Sequence, residues 1–279
     1  MAPGVPGEHL AGAGCPVSGC ADATTRRTRR AARGRPRRAP DRRADAHLPR
    51  PHLGGRLGAD RLGPPELLEW AARTSATLHG LGLRSRSPLS STYRTFPAEE
   101  WRDWADQARH RGREVGDHLR ASLPVVLDVQ AHVEPVLDLA ELSRLCHGDL
   151  TPENVLVTAD GPVLLDWDSA GPEVPELEWL RTLWSFLRVP PHSPGPSDVR
   201  RALDAYLRSG GEHQAPASLR FAGLLNSQLR ALAYFTWCAI GHRGLTPERE
   251  VAADAVAVQA LGHLVQSAAG ACGWSRLLA

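Results

Sequence analysis

The sequence predicts a mainly helical α+β fold built around one short β-hairpin, and three observations carry that prediction. Two apolar, β-prone runs, Val155–Val157 and Val163–Leu165, are separated by a turn-like segment at 158–162. Apolar residues recur at helical spacing on both sides of this hairpin. The first 60 residues contain almost no aromatic or β-branched side chains, so we expect regular structure only from about residue 64 onward.

Before the hairpin, the apolar pattern is helical. Pro and Glu stand at the start of the first helical stretch and Gly stands near its end, as at many helix termini. Trp101 and Trp104 fall on one side of a charged helix and are expected in the core. The elements predicted here are a helix over Pro65–Leu81, a loop over Ser85–Ser91, a charged helix over Pro97–Leu123 and a further helix over Pro124–Leu139.

After the hairpin, helices again dominate, and Pro247 and Glu248 mark the start of the last one. The predicted elements are a turn at Gly171–Pro172, a helix over Pro175–Leu187, a proline-rich loop over Pro190–Ser197, and helices over Ser197–Ser209, Ala217–Ile240 and Thr246–Ala271. Four acidic residues in this part could attract a cationic substrate, but we expect most of them to be solvated surface groups. They are Glu173, Glu176, Glu178 and Asp198.

The polar residues that flank the hairpin indicate a specific chemistry. The segment His147–Asn154 leads into the first strand, and Asp166 leaves the second, so the hairpin brings Asp149, Asn154 and Asp166 to the same end. Phosphoryl transfer from ATP needs a carboxylate that orients the attacking hydroxyl, and it needs oxygen ligands for magnesium. The spacing His-x-Asp-x-x-x-x-Asn, with a second Asp after the following hairpin, is that of kinase catalytic loops.

This stretch, HGDLTPENVLV followed by LLDWD, resembles the aminoglycoside phosphotransferase family, the kinase-like enzymes that phosphorylate small molecules. The resemblance implies a protein-kinase-like C-terminal lobe over residues 64–279. It makes Asp149 the catalytic carboxylate and Asn154 and Asp166 the magnesium ligands that also bind the cofactor ATP. The implied partner is a small-molecule substrate with a free hydroxyl.

Taken singly, these residues have simpler interpretations. A lone Asp before a strand is usually a turn former and a lone Asn a cap, so only their joint occurrence at kinase spacing favours the family. We expect His147 to support the loop rather than to react, and Asp168 to be a solvated turn carboxylate. Trp167 is expected to pack in the core and Cys146 to be a small buried apolar residue.

Residues 1–63 differ from the rest in charge and composition. The first 60 residues carry 12 Arg against 5 acidic residues, whereas residues 61–279 carry 21 Arg against 26. We expect the segment to be disordered. It could be a nucleic-acid-binding arm or an organelle-targeting peptide, but we favour a third explanation, GC-rich codons read out of frame or from a start placed too early. Nucleic acid is therefore not a favoured partner.

A kinase-like fold also has an N-terminal lobe, whose glycine-rich loop covers the phosphates and whose strand lysine contacts them. No such loop is visible, and all 33 side chains counted as Lys or Arg are arginine, so we expect that lobe to be missing. Two functions remain open. One is an ATP-dependent phosphotransferase acting on a hydroxyl of a small molecule such as an aminoglycoside. The other is a catalytically silent kinase-like binding or scaffold protein.

The remaining composition indicates a cytoplasmic protein. The five cysteines show no paired metal-binding spacing, and free thiols in a reducing compartment are expected. No apolar run reaches the roughly 18 residues of a membrane span. The stretch Val251–Ala269 comes closest, but polar residues interrupt it, so it is predicted to be an amphipathic helix.

Overall fold

The computed structural model describes residues 64–187 and 196–277, and within them the predicted mainly helical α+β class is confirmed. The helices are α1 (Pro64–Gly80), α2 (Ala98–His110), α3 (Val115–Val133), α4 (Pro175–Leu187), α5 (Pro196–Arg208), α6 (Ala222–Ala239) and α7 (Pro247–Leu277). The strands are β1 (Arg144–Cys146), β2 (Val155–Thr158), β3 (Gly161–Leu164) and β4 (Gly171–Glu173). Short 3₁₀ helices lie at Leu89–Ser91, Glu134–Leu142, Pro152–Asn154, Trp167–Ser169 and Ala217–Leu219.

The described residues form two compact units. The first comprises residues 96–132 and 225–276, which hold α2, α3, most of α6 and nearly all of α7. The second comprises residues 64–95, 133–187 and 196–224, which hold α1, the four strands, α4 and α5. The assignment of residues 64–279 to one phosphotransferase lobe stays a prediction.

An aromatic cluster forms the core of the first unit. Trp101 is fully buried and Trp104 nearly so, which confirms their expected core position, and their rings pack edge-on with centroids 4.8 Å apart. Phe96 packs edge-on against Trp104 at 5.0 Å. The side chain of Gln130 on α3 accepts hydrogen bonds from Trp101 Nε1 and from the main-chain N–H of Phe96, so it ties this cluster to α3.

The prediction of one unbroken helix over Pro97–Leu123 is wrong. The chain leaves α2 after His110, and Gly112 adopts a left-handed conformation with φ of +64°. The N–H of Arg113 then donates to the carbonyl of Ala108 at 2.9 Å, which is the hydrogen bond of a Schellman motif. Glycine adopts this conformation without the steric cost that other residues incur, so the helix ends here despite the continuing helical pattern.

The predicted start of a further helix at Pro124 is also wrong, since Pro124 lies inside α3. This helix begins instead at Val115, where the carboxylate of Asp254 accepts hydrogen bonds from two consecutive main-chain N–H groups at 2.9 Å each. Such acceptors satisfy the donors that a helix leaves open at its first turn. The end of the predicted element Pro124–Leu139 is a 3₁₀ helix.

The second unit places α1 against α4 and α5. Trp179 on α4 stacks on Tyr206 on α5 with ring centroids 5.1 Å apart and planes 6° from parallel. His79, in the last turn of α1, is buried and packs edge-on against Tyr206, as expected for a helix-end residue. This packing brings the first turns of α4 next to the end of α1.

The predicted hairpin is confirmed as the antiparallel pair β2–β3, in which Leu156 lies opposite Val163. The predicted turn at Gly171–Pro172 is wrong, because these residues form β4, which pairs antiparallel with β1. Both strands of that pair are three residues long, and Gly and Pro are poor strand formers. The sequence therefore shows no alternating apolar pattern from which these strands could be predicted.

Some predictions fall outside the described residues. These are the disordered segment 1–63 and most of the proline-rich loop Pro190–Ser197.

The helix predicted over Ala217–Ile240 starts as a 3₁₀ turn and is α-helical only from Ala222. In the part of the chain that the structure describes, no helix combines the length and apolar character needed to cross a membrane.

Candidate functional site

The residues around the hairpin converge through the main chain of Leu165. Its N–H donates to the carbonyl of Asn154 at 2.8 Å, and its carbonyl accepts a hydrogen bond from His147 Nε2 at 3.0 Å. Asp166 follows directly in sequence, and the Asn154 side chain reaches Asp149. All three predicted site residues therefore lie at one end of the hairpin. We call residues 147–154, which supply two of them, the site loop.

Asn154 fixes the carboxylate of Asp149. Its amide nitrogen donates to Asp149 Oδ2 at 2.9 Å and to the Asp149 main-chain oxygen at 2.8 Å. Both amide protons of Asn154 are thereby used, and its amide oxygen remains as an acceptor. An amide oxygen and a carboxylate are hard oxygen donors of the kind that magnesium prefers. Asn154 and the exposed Asp166 therefore fit a magnesium ion, whose other ligands in phosphate-transfer sites are water and phosphate oxygens.

Asp166 has an unusual backbone conformation. Its φ is 59° and its ψ 72°, and it is the one non-glycine residue with positive φ among the residues that the structure describes. A non-glycine residue in this region costs of order 1–3 kcal/mol and persists only where its surroundings impose it. Leu165, the residue before Asp166, is held by hydrogen bonds through both its main-chain N–H and its carbonyl. Backbone strain of this kind clusters at functional sites.

His147 supports the site loop, as expected. The ring is fully buried, and Nε2 must carry its proton because the partner is a carbonyl oxygen. Nδ1 then accepts from the N–H of Asp149 at 3.2 Å, so the ring links the site loop to the residue that follows β3. The expectation that Trp167 packs in the core is wrong: its side chain is 49% exposed and touches His147 edge-on, with ring centroids 4.7 Å apart.

The surroundings of Asp149 raise its pKa above the ordinary value. Desolvation by the surrounding chain is the main cause, because it disfavours the charged form. The hydrogen bond from Asn154 and the charge of Arg181 oppose it, whereas the nearby charge of Asp166 adds to it. The two aspartates are thus close enough to influence each other electrostatically.

A buried charge cluster lies beneath the site loop. Glu178 on α4 accepts a hydrogen bond from the N–H of Gly148 and another from His79 Nε2, the latter at 2.8 Å. Arg181, one turn further along α4, donates through a terminal nitrogen to the carbonyl of Gly148 at 2.9 Å. The same guanidinium lies 3.7 Å from Glu178 and 3.6 Å from Glu173.

The expectation that most of the acidic residues are solvated is wrong. Glu173, Glu176 and Glu178 are each at most 2% exposed. Glu176 pairs with His213 at 2.8 Å and with Arg220 at 3.3 Å, so its charge is compensated. Buried carboxylates are stable only when paired in this way. The only sequence signal for the cluster beneath the site loop is the three-residue spacing of an acid and an arginine on α4, which surface helices show equally often.

Two of these carboxylates have shifted pKa values in opposite directions. Burial raises the pKa of Glu173 to about 7, although Arg181 and a hydrogen bond from Tyr93 at 2.7 Å favour its charged form. Burial also disfavours the charged form of Glu178, but the hydrogen bond and charge of His79 and the charge of Arg181 outweigh it and lower its pKa to about 2. Glu178 is therefore the permanent anion of the cluster.

Among the described residues, one group of His, Cys and acidic side chains could hold a single ion. It consists of His79, Cys146 and Glu178, whose ligand atoms lie within 4.8 Å of one another. Cys146 is buried, as expected, and burial raises the pKa of its thiol. Since His79 and Arg181 already compensate the charge of Glu178, this group is balanced without an ion.

An exposed apolar face adjoins the carboxylates. Leu156 and Val163 lie opposite each other on the hairpin, and Leu165 lies two residues beyond Val163 on the same face. Their exposed fractions are 39%, 45% and 43%. These three side chains are therefore accessible to a ligand at the hairpin.

A mainly helical fold in which a hairpin gathers two carboxylates and an amide, with a buried charge cluster below, is that of a kinase-like phosphotransferase. The chain belongs to the phosphotransferase enzyme family, whose model matches residues 43–222, well over half of its length. The matched range begins ahead of α1 and includes the site loop, the hairpin and α4. In a comparison with curated proteins, none matches this chain significantly.

Solved structures with a similar course of the chain include kinases and a phosphotransferase. A spectinomycin phosphotransferase in complex with ADP and spectinomycin is 12% identical, with a TM-score of 0.47 over 74% of this chain and 67% of its own. An ethanolamine kinase of Plasmodium vivax is 13% identical, with a TM-score of 0.45 over 71% and 59%. A glucosamine kinase in complex with glucosamine, ADP and inorganic phosphate is 18% identical, with a TM-score of 0.44 over 73% and 54%. The chain thus spans about half to two thirds of these proteins.

Proposed function

We propose that this protein transfers the γ-phosphoryl group of ATP to a hydroxyl of a small molecule such as an aminoglycoside. In this proposal Asp149 is the catalytic carboxylate, and Asn154 and Asp166 are the magnesium ligands. The observation that carries it is the convergence of these three side chains at one end of the hairpin, held by the main chain of Leu165. Family membership supports the reaction class.

Asp149 would accept a hydrogen bond from the acceptor hydroxyl and hold it in line with the γ-phosphorus. As the new oxygen–phosphorus bond forms, the hydroxyl proton passes to Asp149, and the bond between the γ-phosphorus and the bridging oxygen breaks to release ADP. Desolvation raises the pKa of Asp149, which makes its carboxylate a better proton acceptor than a fully solvated aspartate. Asn154 keeps the carboxylate in place.

The remaining site groups would bind the nucleotide. Magnesium, when bound, offsets the charge of the phosphate oxygens, and the oxygens of Asn154 and Asp166 would hold it. The exposed face of Leu156, Val163 and Leu165 offers an apolar surface to the base. A flat aromatic base fits such a surface, because burying its faces removes apolar area from water.

The first test is calorimetry of Mg·ATP binding to three proteins: wild type, Asp166→Ala and Asp149→Asn. We expect magnesium-dependent binding in the wild type, at least about tenfold weaker binding in Asp166→Ala, and unchanged binding in Asp149→Asn. In a screen of aminoglycosides and amino alcohols, Asp149→Asn should lose about 10²- to 10⁴-fold in turnover. Equal binding by wild type and Asp166→Ala would contradict the proposed magnesium site. Binding without transfer to any acceptor would favour the catalytically silent alternative.

A further inference from the structure

The two peptide units that meet at Gly148 are held by separate side chains. The first unit, between His147 and Gly148, donates its N–H to Glu178. The second unit, between Gly148 and Asp149, is held at both ends: its carbonyl accepts from Arg181 at 2.9 Å, and its N–H donates to His147 Nδ1 at 3.2 Å. A peptide unit is planar and rotates as one body, so two hydrogen bonds at opposite edges fix its orientation.

We propose that Arg181 is a positioning residue: it holds the carbonyl of Gly148 while its other terminal nitrogen lies beside the buried Glu173, and it thereby fixes the peptide unit from which Asp149 projects. This inference rests on the proposed function of Asp149. Rotation of that peptide unit changes the φ of Asp149 and moves its carboxylate. A shift of about 1 Å at a reacting group can cost of order 100-fold in rate.

The guanidinium suits this task because its two terminal nitrogens contact different groups. One terminal nitrogen donates to Gly148, and the other faces Glu173 at 3.6 Å. Glu173 is in turn held by the hydroxyl of Tyr93 at 2.7 Å and by the N–H of Val174 at 2.9 Å. Arginine presents several donors in a rigid plane, whereas lysine offers one compact ammonium group.

The alternative is that Arg181 does no more than neutralise buried acids. The burial of Arg181 itself favours this alternative. Its side chain is 13% exposed, and Glu173 and Glu178 are almost completely buried. Removing the arginine alone would take away the cation that lies beside both Glu173 and Glu178, so such a variant could unfold for reasons unrelated to the site loop. The double variant Glu173→Gln/Arg181→Met removes one acid and the base together and keeps side-chain volume.

The test compares wild type, the double variant, Arg181→Lys and a control, Arg220→Met. Arg220 also pairs with a buried glutamate of α4, Glu176, whose hydrogen bonds go to residues 213–215, outside the site loop. Amide hydrogen exchange of residues 147–150 is measured by mass spectrometry in each protein. ADP formation from Mg·ATP is measured in parallel, with and without an aminoglycoside acceptor. Melting curves verify that each variant is folded.

We expect exchange in 147–150 to be at least tenfold faster in the double variant, and kcat to fall at least tenfold with KM for Mg·ATP within twofold of wild type. Arg181→Lys should give values between those of wild type and the double variant. Arg220→Met should match wild type in both exchange rate and kcat. Unchanged exchange in 147–150, or full kcat in the double variant, would overturn the inference. If the double variant does not fold, the same comparison is made with Arg181→Lys, which keeps the charge.

The two proposals fail differently. If wild type neither binds Mg·ATP nor forms ADP, the proposed function is wrong, and the exchange rates alone then decide whether Arg181 holds the loop. If wild type turns over ATP but the double variant and wild type have the same exchange and the same kcat, the proposed function stands and the role of Arg181 is rejected.

Discussion

Gly148, in the site loop, lies against the segment that follows the hairpin. Its φ is +82°, and a Cβ built on it would lie 2.2 Å from the carbonyl oxygen of Ser169. That oxygen belongs to the main chain, so it cannot turn away as the end of a flexible side chain could. The position therefore excludes every other residue type on two grounds, conformation and space.

We expect Gly148→Ala to lower the free energy of unfolding by about 2–4 kcal/mol, since it combines an unfavourable φ with a main-chain clash. The control is Gly82→Ala in the same unit, where φ is +63° but a Cβ would meet nothing within 4 Å. That variant should lose only about 1 kcal/mol, the conformational cost alone. Urea unfolding measures both, and equal losses would show that the contact with Ser169 is not limiting.

The position of a single site residue can be predicted from the sequence when it depends on residues close to it in the chain. Asp149, Asn154 and Asp166 lie together because one hairpin joins them, and that hairpin is visible in the sequence. The burial of Glu173 and Glu178 could not be predicted, because it depends on partners 80 and 99 residues away, Tyr93 and His79. An acidic residue near a helix start has the same local pattern whether it is solvated or buried.

At the scale of elements, the proline inside α3 gives a stability prediction. Pro124 lacks the N–H that would bond to the carbonyl four residues earlier, and its side chain is exposed, so it contributes little packing. Pro124→Ala should therefore raise the free energy of unfolding by about 1–3 kcal/mol. Urea unfolding of the variant measures the change. An unchanged or lower stability would mean that the packing of the first unit needs proline at this position.

The elements that the sequence missed share a physical cause. The break at Gly112 depends on a single left-handed residue and a main-chain hydrogen bond, neither of which alters the helical spacing of the neighbours. The pair β1–β4 joins residues about 27 positions apart through strands too short to alternate, as the register Arg144 to Glu173 and Cys146 to Gly171 shows. Long helices such as α1 and α4 were predictable because their apolar period repeats several times.

For the molecule as a whole, the buried acids make stability depend on pH. The pKa of Glu173 is about 7 in the folded chain against an ordinary 4.5, so folding favours its protonated form. Its stabilising contribution is complete below about pH 4.5 and is lost as the pH rises to about 7, a change of up to about 3 kcal/mol. Glu178 has the opposite effect, because its pKa is lowered from 4.5 to about 2. Its contribution to the free energy of unfolding is complete above about pH 4.5 and is lost as the pH falls towards about 2.

Glu173→Gln, which cannot ionise, isolates the first effect. The difference in free energy of unfolding between wild type and variant should shift in favour of the variant between pH 4.5 and 7.5, measured by urea unfolding at several pH values. The matched control is Glu69→Gln on α1, whose carboxylate is 38% exposed, measured at the same pH values. Parallel curves for wild type and Glu173→Gln would contradict the raised pKa.

The way Leu165 is held has a consequence for evolution and for engineering. Only its main chain bonds to Asn154 and His147, while its side chain is 43% exposed on the apolar face. Substitutions at this position can therefore reshape the surface next to the carboxylates without disturbing the strained backbone of Asp166. Under the proposed function, a library at Leu165 and Leu156 would therefore change the preference among nucleotides while the proposed magnesium ligands stay the same.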